Sequence, residues 1–302
     1  MRRKTCIVIM GPTAVGKTAL SIQTAIRLQT AIISADSRQC YREIDIGVAK
    51  PSAAQLQAVP HYFINSHSIH DPANAAAFEQ YALNAVQEIF QQHDWAVVAG
   101  GTGLYIQAFC QGIDEMPVID PGIREMVRST YEQQGLAWLQ EEVQRNDPAY
   151  YESESQNPHR LMRALEVVLS TGHSIRTYQT GWIAPRDFNI IKIGLELPRE
   201  TLHAHIHQRV DGMIREGLVA EMEALMPYKN LPPLRTIGYQ ETAAFLEKEY
   251  TLSQAVELIK THTRQYAKRQ MTWFKKDRAV KWFSPHDQEE IFSYIGKTIS
   301  ED

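Results

Sequence analysis

A chain of 302 residues, 44% hydrophobic and 22% charged, has the make-up of a globular protein large enough for one big domain with an insertion or for two domains. Its net charge of −4 excludes a protein coated in positive potential, although a local basic face can still meet a polyanion. Cys6, Cys40 and Cys110 lie far apart in no metal-ligand spacing, no run nears the ~18 apolar residues of a membrane span, and the apolar run after Met1-Arg-Arg-Lys4 is too short for a signal peptide. A cytoplasmic protein with no membrane contact is the expectation.

The chain opens on an apolar run, Cys6-Ile-Val-Ile-Met10, followed by Gly11-Pro-Thr-Ala-Val-Gly16-Lys17-Thr18 and a helix-like segment, residues 19–29. Strand, glycine loop and helix in that order, with the spacing G-x-x-x-x-G-K-[ST], let backbone N–H groups and a helix N-terminus surround a phosphate. Lys17 would neutralise the outer phosphate and Thr18 would hold Mg²⁺. The loop alone does not say what becomes of the phosphate.

A second β-like run, Thr30-Ala-Ile-Ile-Ser34, ends in Ala35-Asp36-Ser37-Arg38-Gln39. In doubly wound folds ligands sit beyond the carboxyl ends of the strands, so Asp36 would share the crevice with the glycine loop. It would serve there as a general base or a metal ligand, or simply cap a short helix. After the loop Ile44-Asp-Ile-Gly47-Val-Ala-Lys50-Pro51 we expect a short helix, a strand at 61–65 and a helix over 75–93. Next comes a buried strand, Trp95-Ala-Val-Val-Ala99. The following Gly100-Gly-Thr102-Gly-Leu-Tyr105 carries no acid, unlike an ATPase that helps hold Mg²⁺ there, and its glycines suggest backbone close to a ligand.

From 112 to 186 the alternation of strand and helix stops, and helices are expected at 122–134, 136–145 and 158–170, the last with Arg160 and Arg163 beside its apolar face. Strand character returns at 188–197. A helix over 198–215 carries His203, His205 and His207, whose two-residue spacing points them in different directions and argues against a three-histidine metal site. In a long helix at 252–274, Lys260, Arg264 and Lys268 recur every four residues and Lys275 follows, forming a basic stripe. Tyr266, Trp273, Phe274 and Trp282 are interleaved with this charge, a pattern that favours polyanion contact.

Taken together the motifs resemble the tRNA dimethylallyltransferases. The likeness runs through the glycine loop, Asp36 to Tyr41, Asp45-Ile-Gly47, Ala49-Lys-Pro51, Gly100 to Tyr105, Asn157-Pro-His-Arg-Leu-Met-Arg-Ala-Leu-Glu166, Ile237-Gly-Tyr239 and Thr263 to Phe274. Val48 and His159 depart from the usual family residues. The resemblance implies an α/β fold, a P-loop NTPase-like doubly wound parallel sheet formed by 1–111 and 187–302, with 112–186 as an inserted helical tRNA-binding subdomain. It implies transfer of a dimethylallyl group from dimethylallyl diphosphate to N6 of the adenosine beside the anticodon, in tRNAs reading codons that begin with U. The diphosphate, rather than ATP, would occupy Gly11, Pro12, Thr13, Ala14, Val15, Gly16, Lys17 and Thr18, with Arg209 assisting, Thr18 on Mg²⁺ and Asp36 as base. Contacts to the anticodon stem-loop would come from Asp36, Ser37, Arg38 and Gln39, from Thr102 and Arg124, and from His159, Arg160, Leu161, Met162 and Arg163. Further contacts would come from Arg235, Thr236, Ile237, Gly238, Tyr239 and Gln240, and from Lys268, Arg269, Gln270 and Lys275. A monomer is expected. The rival readings are a small-molecule P-loop kinase, with Asp36 activating a hydroxyl, and a nucleotide-dependent switch, which the lack of an Asn-Lys-x-Asp signature disfavours.

Overall fold

In the computed structural model, which describes residues 4–71 and 73–301, the strands form one all-parallel sheet in the order β3-β2-β4-β1-β5-β6. The first three residues of the basic start lie outside the described residues. The strands are β1 (Thr5–Met10), β2 (Ile32–Ser34), β3 (His61–Tyr62), β4 (Trp95–Gly100), β5 (Asn189–Leu195) and β6 (Lys281–Phe283). β1 is buried along its whole length, as a Val/Ile-rich strand covered on both faces must be. Its register sets Met10 beside Gly100 on one side and Gly194 on the other. The chain leaves β1 towards β2 and later returns to β5 on the opposite side, so the order reverses at β1 and the loop after it opens into the crevice.

The helices of this sheet unit are α1 (Lys17–Leu28), α2 (Ala53–Ala58), α3 (Ala75–Phe90) and α4 (Gly103–Gln111) before the insertion. The insertion holds α5 (Pro121–Asn146), α6 (Pro148–Tyr151) and α7 (Pro158–Thr171). After it come α8 (Arg199–Glu216), α9 (Leu218–Leu225), α10 (Tyr239–Leu246), α11 (Leu252–Phe274) and α12 (Gln288–Glu301). The chain divides into two compact units, residues 1–111 with 185–302, and residues 112–184. The smaller unit has its own core around Val127, Leu139, Val143, Leu161 and Leu165.

Some element boundaries differ from the sequence expectation for local reasons. The strand expected at 61–65 stops after Tyr62, because Phe63 and Asn65 take left-handed φ values of 62° and 55°. The two helices expected at 122–134 and 136–145 form one kinked helix, α5, broken at Gly135 with φ 75° and ψ −165°.

Candidate active site

The glycine loop takes its shape from residues that tolerate positive φ or close approach. Gly11 has φ 153°, and a Cβ there would sit 2.6 Å from the Leu195 carbonyl oxygen. Ala14 and Gly16 have φ 64° and 104°, and Val15 between them is buried and pins the loop to the core. Gly16 caps α1 without a side chain, so the first N–H groups of that helix face the loop's concavity. Lys17 Nζ donates to the Pro12 carbonyl at 2.7 Å, and Arg209 of α8 donates to Thr13 Oγ1 at 3.1 Å. Burial, and then the neighbouring Arg209, lower the Lys17 pKa to about 7, with Asp36 opposing them. Burial also lowers that of Arg209. Two cations crowded into a loop of N–H donors make a cradle for a multiply charged anion.

Asp36 stands at the tip of β2, and its Oδ1 accepts from the N–H groups of Arg38 at 2.9 Å and Gln39 at 3.4 Å. The two sequence readings of this residue are therefore compatible. One oxygen caps the turn, and among the described residues no protein donor reaches the other. Thr102 Oγ1 accepts from Ser37 N–H at 3.0 Å and so ties the tips of β2 and β4 together. Two cavities meet at Asp36. One, of about 280 Å³, contains Lys17 and Thr18. The other, of about 270 Å³, is lined by Arg38, Thr236, Ile237, Met213 and Ile259. Thr13, Asp36, Val48, Ala49, Arg209 and Tyr266 border both.

The wall formed by Val48 and Ala49 is held from a distance. Glu221 of α9 accepts from the N–H groups of Asp45, Ile46 and Gly47 at 3.0, 2.8 and 3.1 Å, and from the Tyr239 hydroxyl at 2.5 Å. The Tyr239 ring lies where a side chain on Gly47 would be, with Cε2 only 2.5 Å from that Cβ position. Gln39 then donates to the Val48 and Ala49 carbonyls at 3.3 and 3.0 Å, linking this wall to the Asp36 turn.

Several expected contact residues are placed differently from the sequence reading. Tyr239 is fully buried with its hydroxyl engaged, and Leu161 is fully buried in the core of the smaller unit, so neither side chain presents a surface to RNA. Gln270 of α11 is also buried. Its Oε1 accepts from Thr13 N–H at 2.8 Å and its Nε2 donates to the Gly101 carbonyl at 2.8 Å, which makes it a strut from α11 to the glycine loop. The glycines at the end of β4 and just after it make room for neighbouring protein, and Gly100 and Gly101 also line the cavity that contains Lys17. A Cβ on Gly100 would meet Ala35 backbone at 2.1 Å, one on Gly101 the Gln270 amide at 2.4 Å, and one on Gly103 the Trp273 ring at 2.4 Å.

The basic stripe of α11 is not one free surface. Lys260 is paired with Asp211 and Glu257, Arg264 is turned onto His207 and Thr261, and Lys275 pairs with Glu196 while lying over the Trp282 ring. Lys268 and Arg269 remain exposed with no acid partner among the described residues. Gln240 and Arg235 are exposed, whereas Gly238 is buried. In the smaller unit, His159 and Arg160 are exposed on the first turn of α7, with Arg160 paired to Glu154, while Arg163 and Arg124 both reach Glu166.

Sequence reasoning missed the place of two residues at the site. Tyr266 borders both cavities near Asp36, and burial together with that carboxylate pushes its pKa up to about 12, so it keeps its proton. Its spacing of four from Gln270 was the available signal. Glu221 had none, because the three N–H groups it accepts from are about 175 residues away along the chain.

The family model described as IPP transferase matches residues 39–277. The chain belongs to this family. It is 42% identical to a tRNA dimethylallyltransferase of Cytophaga hutchinsonii, over 99% of this chain and 98% of that protein. Its structure superposes on the full-length tRNA isopentenylpyrophosphate transferase of Bacillus halodurans with a TM-score of 0.74 at 32% identity, covering 99% and 98% of the two chains. A eukaryotic dimethylallyltransferase solved acting on tRNA matches with a TM-score of 0.73 at 27% identity, over 89% of this chain and 69% of that one. The kinase reading finds no support among these relatives.

Proposed function

We propose that the chain transfers a dimethylallyl group from dimethylallyl diphosphate to the N6 amine of an adenosine beside the anticodon of tRNA, releasing diphosphate. The observation that carries this reading is the pairing of Lys17 and Arg209 in an anion cradle with Asp36 at the junction of two cavities. The donor's diphosphate fits the cradle, and the adenine fits the cavity lined by Arg38 and Ile237. An adenine amine is a poor nucleophile because its lone pair is delocalised into the ring. Help must come from ionising the donor, where Lys17, Arg209 and the loop N–H groups meet the charge leaving with diphosphate. The Asp36 oxygen not used in the turn takes the amine proton as the C–N bond forms. Tyr266, protonated between the two cavities, offers a donor and a ring face to either substrate.

Among the described residues no cluster of three acids, histidines or cysteines could hold a metal by itself. A single hydroxyl suits Mg²⁺, which keeps several waters and takes phosphate oxygens as ligands, so Thr18 would hold it. The ion would supply further screening of the departing diphosphate. In the smaller unit, His159 and Arg160, with Arg163 and Arg124, offer cationic and polar groups for the stem-loop. In the larger unit Lys268, Arg269, Arg235 and Gln240 do the same. The adenosine must leave its stack to reach Asp36.

Incubation with labelled dimethylallyl diphosphate, labelled ATP and unmodified tRNA tests the reading. Prenyl label should appear in the RNA at the adenosine beside the anticodon, and the ATP label should not move. Transfer of the ATP phosphate with no prenylation would overturn it.

A further inference from the structure

A cavity of about 580 Å³, larger than either cavity at Asp36, lies between α4 and the end of α11 in the same unit. Its floor is apolar, with Met10 and Phe274, and the Trp273 ring, 37% exposed, forms a wall. Gln107 and Gln111 stand one helical turn apart on one face of α4, and among the described residues neither amide has a hydrogen-bond partner. Lys276 and Arg278 at the rim are exposed without an acid partner among the described residues, since Asp277 is taken by Lys192 at 2.6 Å. A flat aromatic wall, two free amides and unneutralised cations together suit a nucleobase with its flanking phosphates.

We propose that this cavity takes one unpaired nucleobase of the tRNA loop, a neighbour of the adenosine that reaches Asp36. The inference rests on the function proposed above. Position supports it, because Trp273 follows Gln270, the strut beside the catalytic cavity, by three residues of α11, about 4.5 Å along the helix. The base stacks on Trp273, Gln107 and Gln111 read its edge, and Lys276 and Arg278 meet the phosphates. The glutamines make the cavity selective, since a side-chain amide offers a donor and an acceptor that only some base edges match.

The test combines protein variants with stem-loop RNAs in which each loop nucleotide in turn lacks its base. Trp273→Ala should weaken RNA binding about tenfold, the scale of one base–aromatic stack, and Trp273→Phe should restore most of it. At one loop position the abasic RNA should bind wild-type protein as weakly as intact RNA binds Trp273→Ala, and combining the two changes should cost nothing more. The Gln107→Ala, Gln111→Ala variant should alter the preference among the four bases at that position alone. Because Trp273 packs on Gly103, melting curves accompany its variants, while the glutamine variant changes only groups without partners. Losses that add at every loop position, or unchanged binding by Trp273→Ala and the glutamine variant, would overturn the base pocket. Prenyl transfer to RNA by the wild type, measured in parallel, keeps failure of the base pocket separate from failure of the catalytic reading.

Discussion

The glycine loop and α11 wall the same cavity but owe their place to different physics. The loop is built from consecutive residues whose positive φ values and close approaches force one shape, and its charge, Lys17, is left without an anionic partner among the described residues. Helix α11 reaches the cavity through tertiary contacts, chiefly the Gln270 strut, and Lys260 on it, like Lys275 just beyond its end, is already paired with a neighbouring acid. The loop therefore stores unfavourable charge that a ligand relieves, whereas the helix stores satisfied contacts that hold the walls. Substitutions in the first should disturb chemistry more than stability, and substitutions in the second should disturb both.

The largest expected effect is at Lys17. Lys17→Met should lower transfer by roughly a hundredfold to a thousandfold, the scale of losing one preorganised charged donor. The same change should raise stability of the ligand-free protein. The Lys17 pKa falls to about 7 in the fold from its ordinary value near 10.5, so the cost of holding the ammonium is fully present below about pH 7. That cost is relieved as pH rises from about 7 towards 10.5, because the unfolded chain then binds more protons. The melting-temperature advantage of Lys17→Met should thus be greatest at pH 6 and shrink by pH 10. A wild-type transfer rate, or a variant that melts lower at pH 6, would break the contrast between the two regions.

Asp36 sharpens the contrast, because its two oxygens divide between structure and chemistry. Asp36→Asn keeps an acceptor for the Arg38 and Gln39 N–H groups but loses basicity, so transfer should fall about a hundredfold with melting nearly unchanged. Asp36→Ala loses both and should also melt lower. Single-turnover rates and melting curves of the two variants separate the roles, and near-normal chemistry in the Asn variant would remove Asp36 as base.

At Gln270 the two effects should come together. Gln270→Leu strands the Thr13 N–H and the Gly101 carbonyl, each buried group costing about 1–3 kcal/mol when left unmade. A lower melting temperature should accompany a donor KM raised about tenfold, since the loop loses its brace. Donor saturation curves that match wild type would mean that the strut supports the fold alone.

What was legible in the sequence follows the same division. The loop, the strand before it and Asp36 at the next strand tip could be read because local spacing fixes them. The family resemblance reached the activity for the same reason, through motifs of consecutive residues. Tyr239 and Gln270 stood inside such motifs, but their burial and partners depend on residues far along the chain, so their work in holding the walls could not be read from spacing. The glycines around the end of β4 were legible in part: Gly100 and Gly101 line the cavity, whereas the space at Gly103 is filled by Trp273, which the sequence does not report. Glu221 left no trace because a single acid in an amphipathic helix is ordinary until three N–H groups converge on it.

The smallest expected effect distinguishes neutralised from free charge on α11. Helical spacing alone makes Lys260 and Lys268 equivalent members of one stripe, but Lys260 is bound to Asp211 and Glu257 while Lys268 is exposed without an acid partner among the described residues. A lysine that meets a phosphate releases counterions, and removing it should flatten the dependence of log affinity on log salt by about 0.7 for single-stranded RNA. A lysine already neutralised by carboxylates has little to release. Lys268→Ala should therefore reduce the salt slope of tRNA binding by about that amount, with melting unchanged. Lys260→Ala should leave the slope as it was and lower the melting temperature slightly through the lost pairs, each worth well under about 1 kcal/mol at a partly exposed site. Titrations between low and moderate salt with one stem-loop RNA measure both slopes directly. Equal slopes for the two variants would restore the uniform stripe that spacing suggests and remove the distinction drawn from the ion pairs.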